Sequence, residues 1–190
     1  KWKFFIMKKP FKQSKIEHSL MCSIFAIANF FGTEYVIKKN MHLSRHGVSP
    51  ETQALILCRQ VDKFFREENY STFKTVSDRS DVYDLIKELS NEASSNEDGN
   101  NFIPIFVNYL HGQETINQNF VLDGHSSLLI FSRGRILEVD SSPHKDEFVV
   151  LSSEALLEKL DDIHSITMLM LQKSPKTLID FQKTDFKHLF

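Results

Sequence analysis

Length, composition and charge place this chain among small globular proteins. Its 190 residues suit one domain, and 41% apolar residues are enough for a hydrophobic core. The formal net charge of −2 argues against nucleic acid as the main partner, because phosphate binding needs a basic face. Two cysteines are too few for a disulfide framework, so we expect a cytosolic, reducing compartment. No apolar run reaches the roughly 20 residues that span a bilayer, and no transmembrane segment is predicted.

The first fifteen residues are rich in lysine and contain no acidic residue. Trp2 and the apolar residues 4–6 lie between the lysines, which fits either a peripheral membrane contact by residues 1–15 or a solvated terminus. We therefore predict three regions. They are a basic N-terminal arm over residues 1–18, one globular domain over 19–175, and a C-terminal helix or tail over 176–190.

Helical periodicity dominates the first half of the domain. Residues 20–31 are apolar nearly all round and predict a buried helix, with Ser19 as its N-cap and Gly32 at its C-terminal end. A second helix is predicted to start at Pro50, which follows a serine and precedes an apolar stripe. The spacing of apolar residues predicts a third, shorter helix over 81–89.

The second half of the domain has the pattern of β-strands. The polar stretches 90–101 and 112–124 are predicted to be loops, the latter flanking the functional site. The predicted strands are 102–110, 125–131, 135–140, 148–151 and 165–172, with a helix over 153–160 capped by Ser153. Helices followed by strands indicate an α+β fold, in which the cysteine-bearing N-terminal helix packs on a mostly antiparallel β-sheet.

The two cysteines differ in their predicted surroundings. Cys22 lies in the first turn of a predicted helix, where unpaired backbone N–H groups and the helix dipole favour an anion. That position lowers the pKa of a thiol, although a buried structural cysteine is the alternative interpretation. Cys58 lies in the middle of a helix on an apolar stripe, where it would be an inert small hydrophobic residue.

A predicted β-hairpin brings a histidine and an aspartate together. A two-residue loop at 133–134, with glycine as the turn residue, would place Ser127 opposite Asp140. His125 and Asp140 then become diagonal neighbours on one face, close enough for a hydrogen bond. A register slip by one residue would instead place them on opposite faces.

Together these residues have the types that thiol catalysis requires. A thiol nucleophile needs a base, and the base needs an acceptor that fixes its tautomer. We therefore assign Cys22 as nucleophile, His125 as base and Asp140 as the orienting acceptor. His144 is the rival base, but no predicted strand holds it. The pair at residues 42 and 46 has helical spacing without a further ligand, so neither a metal site nor a cofactor is expected.

Acyl chemistry also needs an oxyanion hole. The backbone N–H of Cys22 is one donor, and the second would be a side chain shortly before it. Gln13 has the most suitable side chain, with Ser19 and Ser14 as alternatives.

Three segments resemble the effector cysteine proteases of the Yersinia outer protein T and AvrPphB type, which pathogenic bacteria inject into host cells. They are the helix opening with Cys22, the pair 124–125 before an apolar strand, and residues 134–140 with Asp140 fifteen residues after the histidine. The resemblance implies a papain-like fold for residues 19–175, a Cys–His–Asp triad, a host protein as substrate and no cofactor. Papain-like enzymes usually place a glutamine six residues before the cysteine, whereas this chain has Ile16 there. It also lacks the small residue usual before the cysteine.

Two alternatives remain open at the level of sequence. Bacterial effector glutamine deamidases have the same catalytic fold and triad, but they hydrolyse a side-chain amide of a host protein. A non-catalytic binding module would instead bury Cys22 and contact a partner protein through residues 91–124.

Overall fold

The structure is a computed structural model, and it describes residues 9–13, 20–45, 47–64, 70–95, 103–114, 120–132, 134–144 and 148–173. The described helices are α1 (Cys22–Phe31), α2 (Tyr35–Asn40), α3 (Pro50–Phe64), α4 (Arg79–Ser95) and α5 (Ser153–Asp161), with a 3-10 helix over Met41–Arg45. The described strands are β1 (Tyr70–Val76), β2 (Ile103–Glu114), β3 (Phe120–Ser132), β4 (Arg135–Val139), β5 (Val149–Leu151) and β6 (Ser165–Lys173).

The six described strands form one sheet in the order β1-β6-β2-β3-β4-β5, and the described strand pairs are antiparallel. The centre of the sheet is the long ribbon of β2 and β3, which pair from Ile103 and Phe131 at one end to Glu114 and Phe120 at the other. The short strand β4 covers only the last part of β3. This difference in length leaves room for residues beyond the end of β4 to reach β3 side chains.

Helices cover both faces of the sheet. One core is formed by α1, α2 and α3 against sheet residues such as Phe106, Leu128 and Val139. The other is formed by α4 and α5 against residues such as Val107 and Leu129. Neighbouring residues of a strand point to opposite faces, so both faces of these central strands are apolar. The predicted α+β architecture is confirmed, including the packing of the cysteine-bearing helix on the sheet.

Helix α1 begins two residues later than predicted. Its N-cap is Met21, which makes no side-chain capping hydrogen bond, so the predicted cap at Ser19 is wrong; Ser19 itself lies outside the described residues. Gly32 ends the helix in the left-handed conformation at φ 63°, as the sequence predicts. The predicted cap of α5 is wrong by one position, because the Ser152 side chain, not that of Ser153, accepts from a first-turn backbone N–H.

Polar composition gave the wrong prediction where strands extend beyond the core. The predicted loop 112–124 is instead largely strand, since β2 runs to Glu114 and β3 starts at Phe120. Paired strands satisfy each other's backbone groups, so a ribbon can continue without apolar side chains. Helix α4 likewise continues to Ser95, into the predicted loop 90–101. Helix α2 and strand β1 were not predicted.

The described part of the N-terminal region lies against the domain. The backbone N–H of Phe11 donates to the Asn29 side chain in α1, and Gln13 is buried. Residues 1–8, 14–19 and 174–190 lie outside the described residues, so the predicted membrane contact and C-terminal helix stay predictions. No helix in the described part of the chain is long and apolar enough to cross a membrane.

Candidate active site

The β3–β4 hairpin has the predicted register. Ser132 pairs with Arg135 across the two-residue loop, and Gly134 has a φ of 71°, the left-handed conformation that such a turn requires. The ladder continues to Leu128 opposite Val139, where β4 ends. Asp140 is therefore the first residue beyond the strand.

His125 and Asp140 form the hydrogen bond that this register allows. Nε2 of His125 donates to Oδ1 of Asp140 over 2.9 Å. The aspartate side chain is only 1% exposed, and the imidazole is 21% exposed. The backbone N–H of Ser142 also donates to Oδ1, over 2.8 Å, so the carboxylate is held from two sides. This arrangement fixes the tautomer and orientation of the imidazole ring.

Cys22 is the first residue of α1 and adjoins the other side of the imidazole. Its side chain is hydrogen-bonded to His125 and to Ser126, and the backbone N–H of Ser23 donates to the sulfur. Because Nε2 of His125 is directed at Asp140, Nδ1 is the nitrogen that remains for the thiol. The structure thus brings Cys22, His125 and Asp140 together in the order in which sequence analysis linked them.

The three side chains change one another's pKa values. Burial raises the pKa of the Cys22 thiol, but hydrogen bonding and the charge of His125 outweigh it, and the pKa is lowered. Burial lowers the pKa of His125, yet the hydrogen bonds and charges of Asp140 and Cys22 raise it to about 9. Burial also opposes ionisation of Asp140, whose pKa His125 nevertheless holds well below its usual range. A thiolate beside an imidazolium is therefore the favoured ionic state.

Gln13 lies next to this group through the residue that follows Asp140. Its backbone N–H donates to the Ser141 carbonyl over 2.8 Å, and the Ser141 hydroxyl donates to Oε1 of Gln13 over 2.8 Å. The Lys12 ammonium group donates to the carbonyl of Asp140 over 2.7 Å. Since the hydroxyl of Ser141 binds the oxygen of the amide, it orients the Gln13 side chain. Ser14 and Ser19, the alternative oxyanion donors, lie outside the described residues.

A buried polar group beside the thiol was not predicted. Ser23, Asn108 and Ser126 are buried and hydrogen-bonded to one another between α1, β2 and β3. A signal was present, because Asn108 and Ser126 interrupt strand segments that are otherwise apolar. Polar residues at core-facing strand positions need partners, and here the partners adjoin Cys22.

The rival residues that the structure describes are partly or fully exposed. His144 is exposed in a turn, and Cys58 lies within α3 with intermediate exposure. His42 is exposed, and its proposed companion His46 lies outside the described residues. Within the described ranges, no group of three or more His, Cys, Asp and Glu side chains could hold a metal ion.

Comparison with known proteins adds little to this geometry. No protein-family model matches the chain, and no curated protein matches it. A crystal structure of a Bacillus anthracis protein described as a C39-like peptidase aligns with 88% of this chain and 96% of its own, at a TM-score of 0.43 and 12% identity. At this TM-score the similarity carries no functional weight.

Proposed function

We propose that this protein is a papain-like cysteine hydrolase that cleaves an amide bond of a protein substrate. The observation that carries the proposal is one continuous chain of hydrogen bonds, from the Cys22 thiol at the start of α1 through the His125 imidazole to the buried Asp140 carboxylate. Contacts in this order support the roles of nucleophile for Cys22, base for His125 and orienting group for Asp140, because thiol-dependent acyl transfer requires that order.

Each residue has a defined step in this reaction. The Cys22 thiolate attacks the carbonyl carbon, and the His125 imidazolium gives its proton to the leaving amine as the C–N bond breaks. A thioester of Cys22 and an amine result. His125 then takes a proton from water, whose oxygen attacks the thioester, and the carboxylic acid leaves as the thiolate is restored. Asp140 keeps the ring oriented and stabilises its charged form throughout.

The oxyanion formed in each addition step needs hydrogen-bond donors. The backbone N–H of Cys22 is one, because the first N–H groups of a helix lack intrahelical acceptors. We assign the second to the amide Nε2 of Gln13, since the hydroxyl of Ser141 already binds Oε1 and turns the amide nitrogen away from itself. Gln13 would then replace the glutamine expected at position 16.

Amide hydrolysis in a protein substrate covers two reactions. Cleavage of the backbone is the primary proposal, and the resemblance of the three segments to injected effector proteases supports a host protein as substrate. Hydrolysis of a glutamine side chain uses the same three residues, so the triad favours neither reaction. The substrate-contacting walls of the site decide between them.

The test is to incubate the purified protein with cytosolic protein from candidate host cells and to analyse the products by mass spectrometry. Cys22→Ala is the inactive control, and Cys58→Ala controls for loss of a thiol. New protein termini made by the unmodified chain and by Cys58→Ala, but not by Cys22→Ala, are expected. Conversion of glutamine to glutamate without new termini would identify a deamidase. Neither product, together with an unreactive Cys22, would favour a non-catalytic binding module.

A further inference from the structure

Four polar side chains form a buried network beside Cys22. Ser23, Gln53, Asn108 and Ser126 come from α1, α3, β2 and β3, and none is more than 9% exposed. Apolar core surrounds them on this face of the sheet. Because burying polar groups is unfavourable unless they are hydrogen-bonded, such a network needs an explanation beyond packing.

The donor and acceptor of each hydrogen bond can be assigned by starting at Gln53 and following the network toward the serines. Nε2 of Gln53 donates to the Ser23 carbonyl over 3.4 Å, which turns Oε1 toward Asn108. Nδ2 of Asn108 donates to that oxygen over 2.7 Å. Oδ1 of Asn108 must then face the two serines. It accepts from the hydroxyl of Ser126 over 2.5 Å and lies 3.4 Å from the hydroxyl of Ser23.

The two hydroxyl groups can redistribute their protons among the neighbouring acceptors. The Oγ atoms of Ser23 and Ser126 are 2.7 Å apart, and either can be the donor. Ser126 is also hydrogen-bonded to the side chain of Cys22, so its single proton has three possible acceptors, which are the sulfur, the Asn108 amide oxygen and the Ser23 hydroxyl oxygen. When Ser126 donates to the sulfur, Ser23 can turn its proton from Ser126 to Asn108, 3.4 Å away, and the two Oγ atoms then move apart because no proton lies between them.

We propose that Ser126 stabilises the Cys22 thiolate by rotating its hydroxyl from Asn108 to the sulfur, while Ser23 takes its place at Asn108. With Cys22 as a thiol, Ser126 donates to Asn108; with Cys22 as a thiolate, it donates to sulfur. Gln53 holds Asn108 in the orientation that both states need. The inference rests on the proposed function, because it assumes that Cys22 acts as a thiolate.

Rotation of the Ser126 hydroxyl toward the sulfur should affect the titration of Cys22. The ionisable group that acts directly on Cys22 is His125, and Asp140 lies behind it. Among the described contacts, the Ser126 hydroxyl acts on the thiol of Cys22 and not on the imidazole of His125 or the carboxylate of Asp140, so its loss should raise the pKa of Cys22 and leave that of His125 near its original value. A hydrogen bond to a charged group corresponds to about a tenfold change, or about one pKa unit.

The experiment measures the rate of alkylation by iodoacetamide against pH, with the product at Cys22 resolved from that at Cys58 by mass spectrometry. It needs no substrate. Ser126→Ala should move the acid limb of the profile upward by about one pH unit, and Ser23→Ala should move it upward by less. Ser132→Ala is the matched control, because Ser132 is a buried serine of the same strand whose hydroxyl has no hydrogen-bond partner among the described residues. It should leave the limb unchanged.

The outcomes separate this inference from the proposed function. An ordinary thiol pKa for Cys22 in the unmodified protein would overturn both. A lowered pKa there, with no upward shift in folded Ser126→Ala, would overturn the inference alone. Folding is followed by circular dichroism, and if Ser126→Ala does not fold, the direction of the shift in Ser23→Ala decides. An equal shift in Ser132→Ala would mean that loss of any buried hydroxyl of β3 has this effect, which also contradicts a specific role for Ser126.

Discussion

The Nε2 atom of His125 lies 2.9 Å from Oδ1 of Asp140, and this contact links the end of β4 to a part of β3 that β4 does not cover. The contact depends on the two-residue turn, because a slip of the register by one residue would separate the side chains. It also sets the electrostatics of the site, since a carboxylate that is 1% exposed favours a charged imidazole.

Cys22→Ala should abolish amide hydrolysis with little loss of folding, whereas Cys58→Ala should leave activity largely intact. Cys22 opens α1 beside His125, and Cys58 lies within α3. Product formation and circular dichroism of both variants check this expectation. Equal losses in the two variants, or full activity of Cys22→Ala, would remove the assignment of the nucleophile.

Activity should have a bell-shaped dependence on pH. The midpoint of the acid limb should lie at a pH below the pKa of an ordinary thiol, because the pKa of Cys22 is lowered. The midpoint of the alkaline limb should lie at about pH 9, the pKa of His125. The raised pKa of His125 also makes the free energy of unfolding depend on pH. The contribution of His125 to this free energy should be fully present below the ordinary histidine pKa and be lost as pH rises through about 9. Turnover and urea unfolding across this range measure the two effects.

Asp140→Ala should reduce turnover by orders of magnitude, up to about 10⁴ by analogy with serine triads, but by less than Cys22→Ala or His125→Ala. A thiolate is already a good nucleophile, so the orienting carboxylate matters less here. Asp140→Asn should retain part of the activity, because an amide oxygen still accepts from Nε2. Both variants should move the alkaline limb to lower pH, since they lose the negative charge that raises the pKa of His125. Full activity in folded Asp140→Ala would mean that another residue orients His125, or that His125 is not the base.

Gln13→Ala should lower turnover by about 10² to 10³ if its amide binds the oxyanion. Alkylation of Cys22 by iodoacetamide should keep its rate, because that reaction forms no oxyanion. Ser141→Ala should have a smaller effect in the same direction, since its hydroxyl only orients the Gln13 amide. Parallel losses of turnover and alkylation in Gln13→Ala would indicate a structural role for the glutamine instead.

Ser152→Ala should destabilise the fold without affecting the site. The serine side chain accepts from the Ala155 backbone N–H at the start of α5. Loss of such a cap costs about 1 kcal/mol, which lowers the melting temperature by roughly 2–4 °C in a chain of this size. Thermal unfolding measures the decrease in melting temperature. At a temperature well below melting, turnover should be unchanged. A drop in turnover there would tie α5 to catalysis.

The sequence by itself determined the parts of this protein that depend on local pattern. The apolar run after Cys22 predicts the buried helix, and the glycine at position 134 predicts the hairpin turn. Strand alternation from that turn is sufficient to place His125 near Asp140, because each step outward along a ladder is fixed by the pleat. Local pattern is therefore enough to name Cys22, His125 and Asp140 together.

Only the tertiary structure decided which polar residues approach the thiol from distant parts of the chain. Gln13 meets Ser141, and Asn108 meets Ser126, through packing of separate elements that no local period encodes. The wrong prediction for residues 112–124 has a related cause, because a paired strand satisfies the backbone of its partner whatever the side chains are. Local spacing thus indicated the chemistry of the thiol, whereas long-range contacts decided which hydrogen bonds surround it.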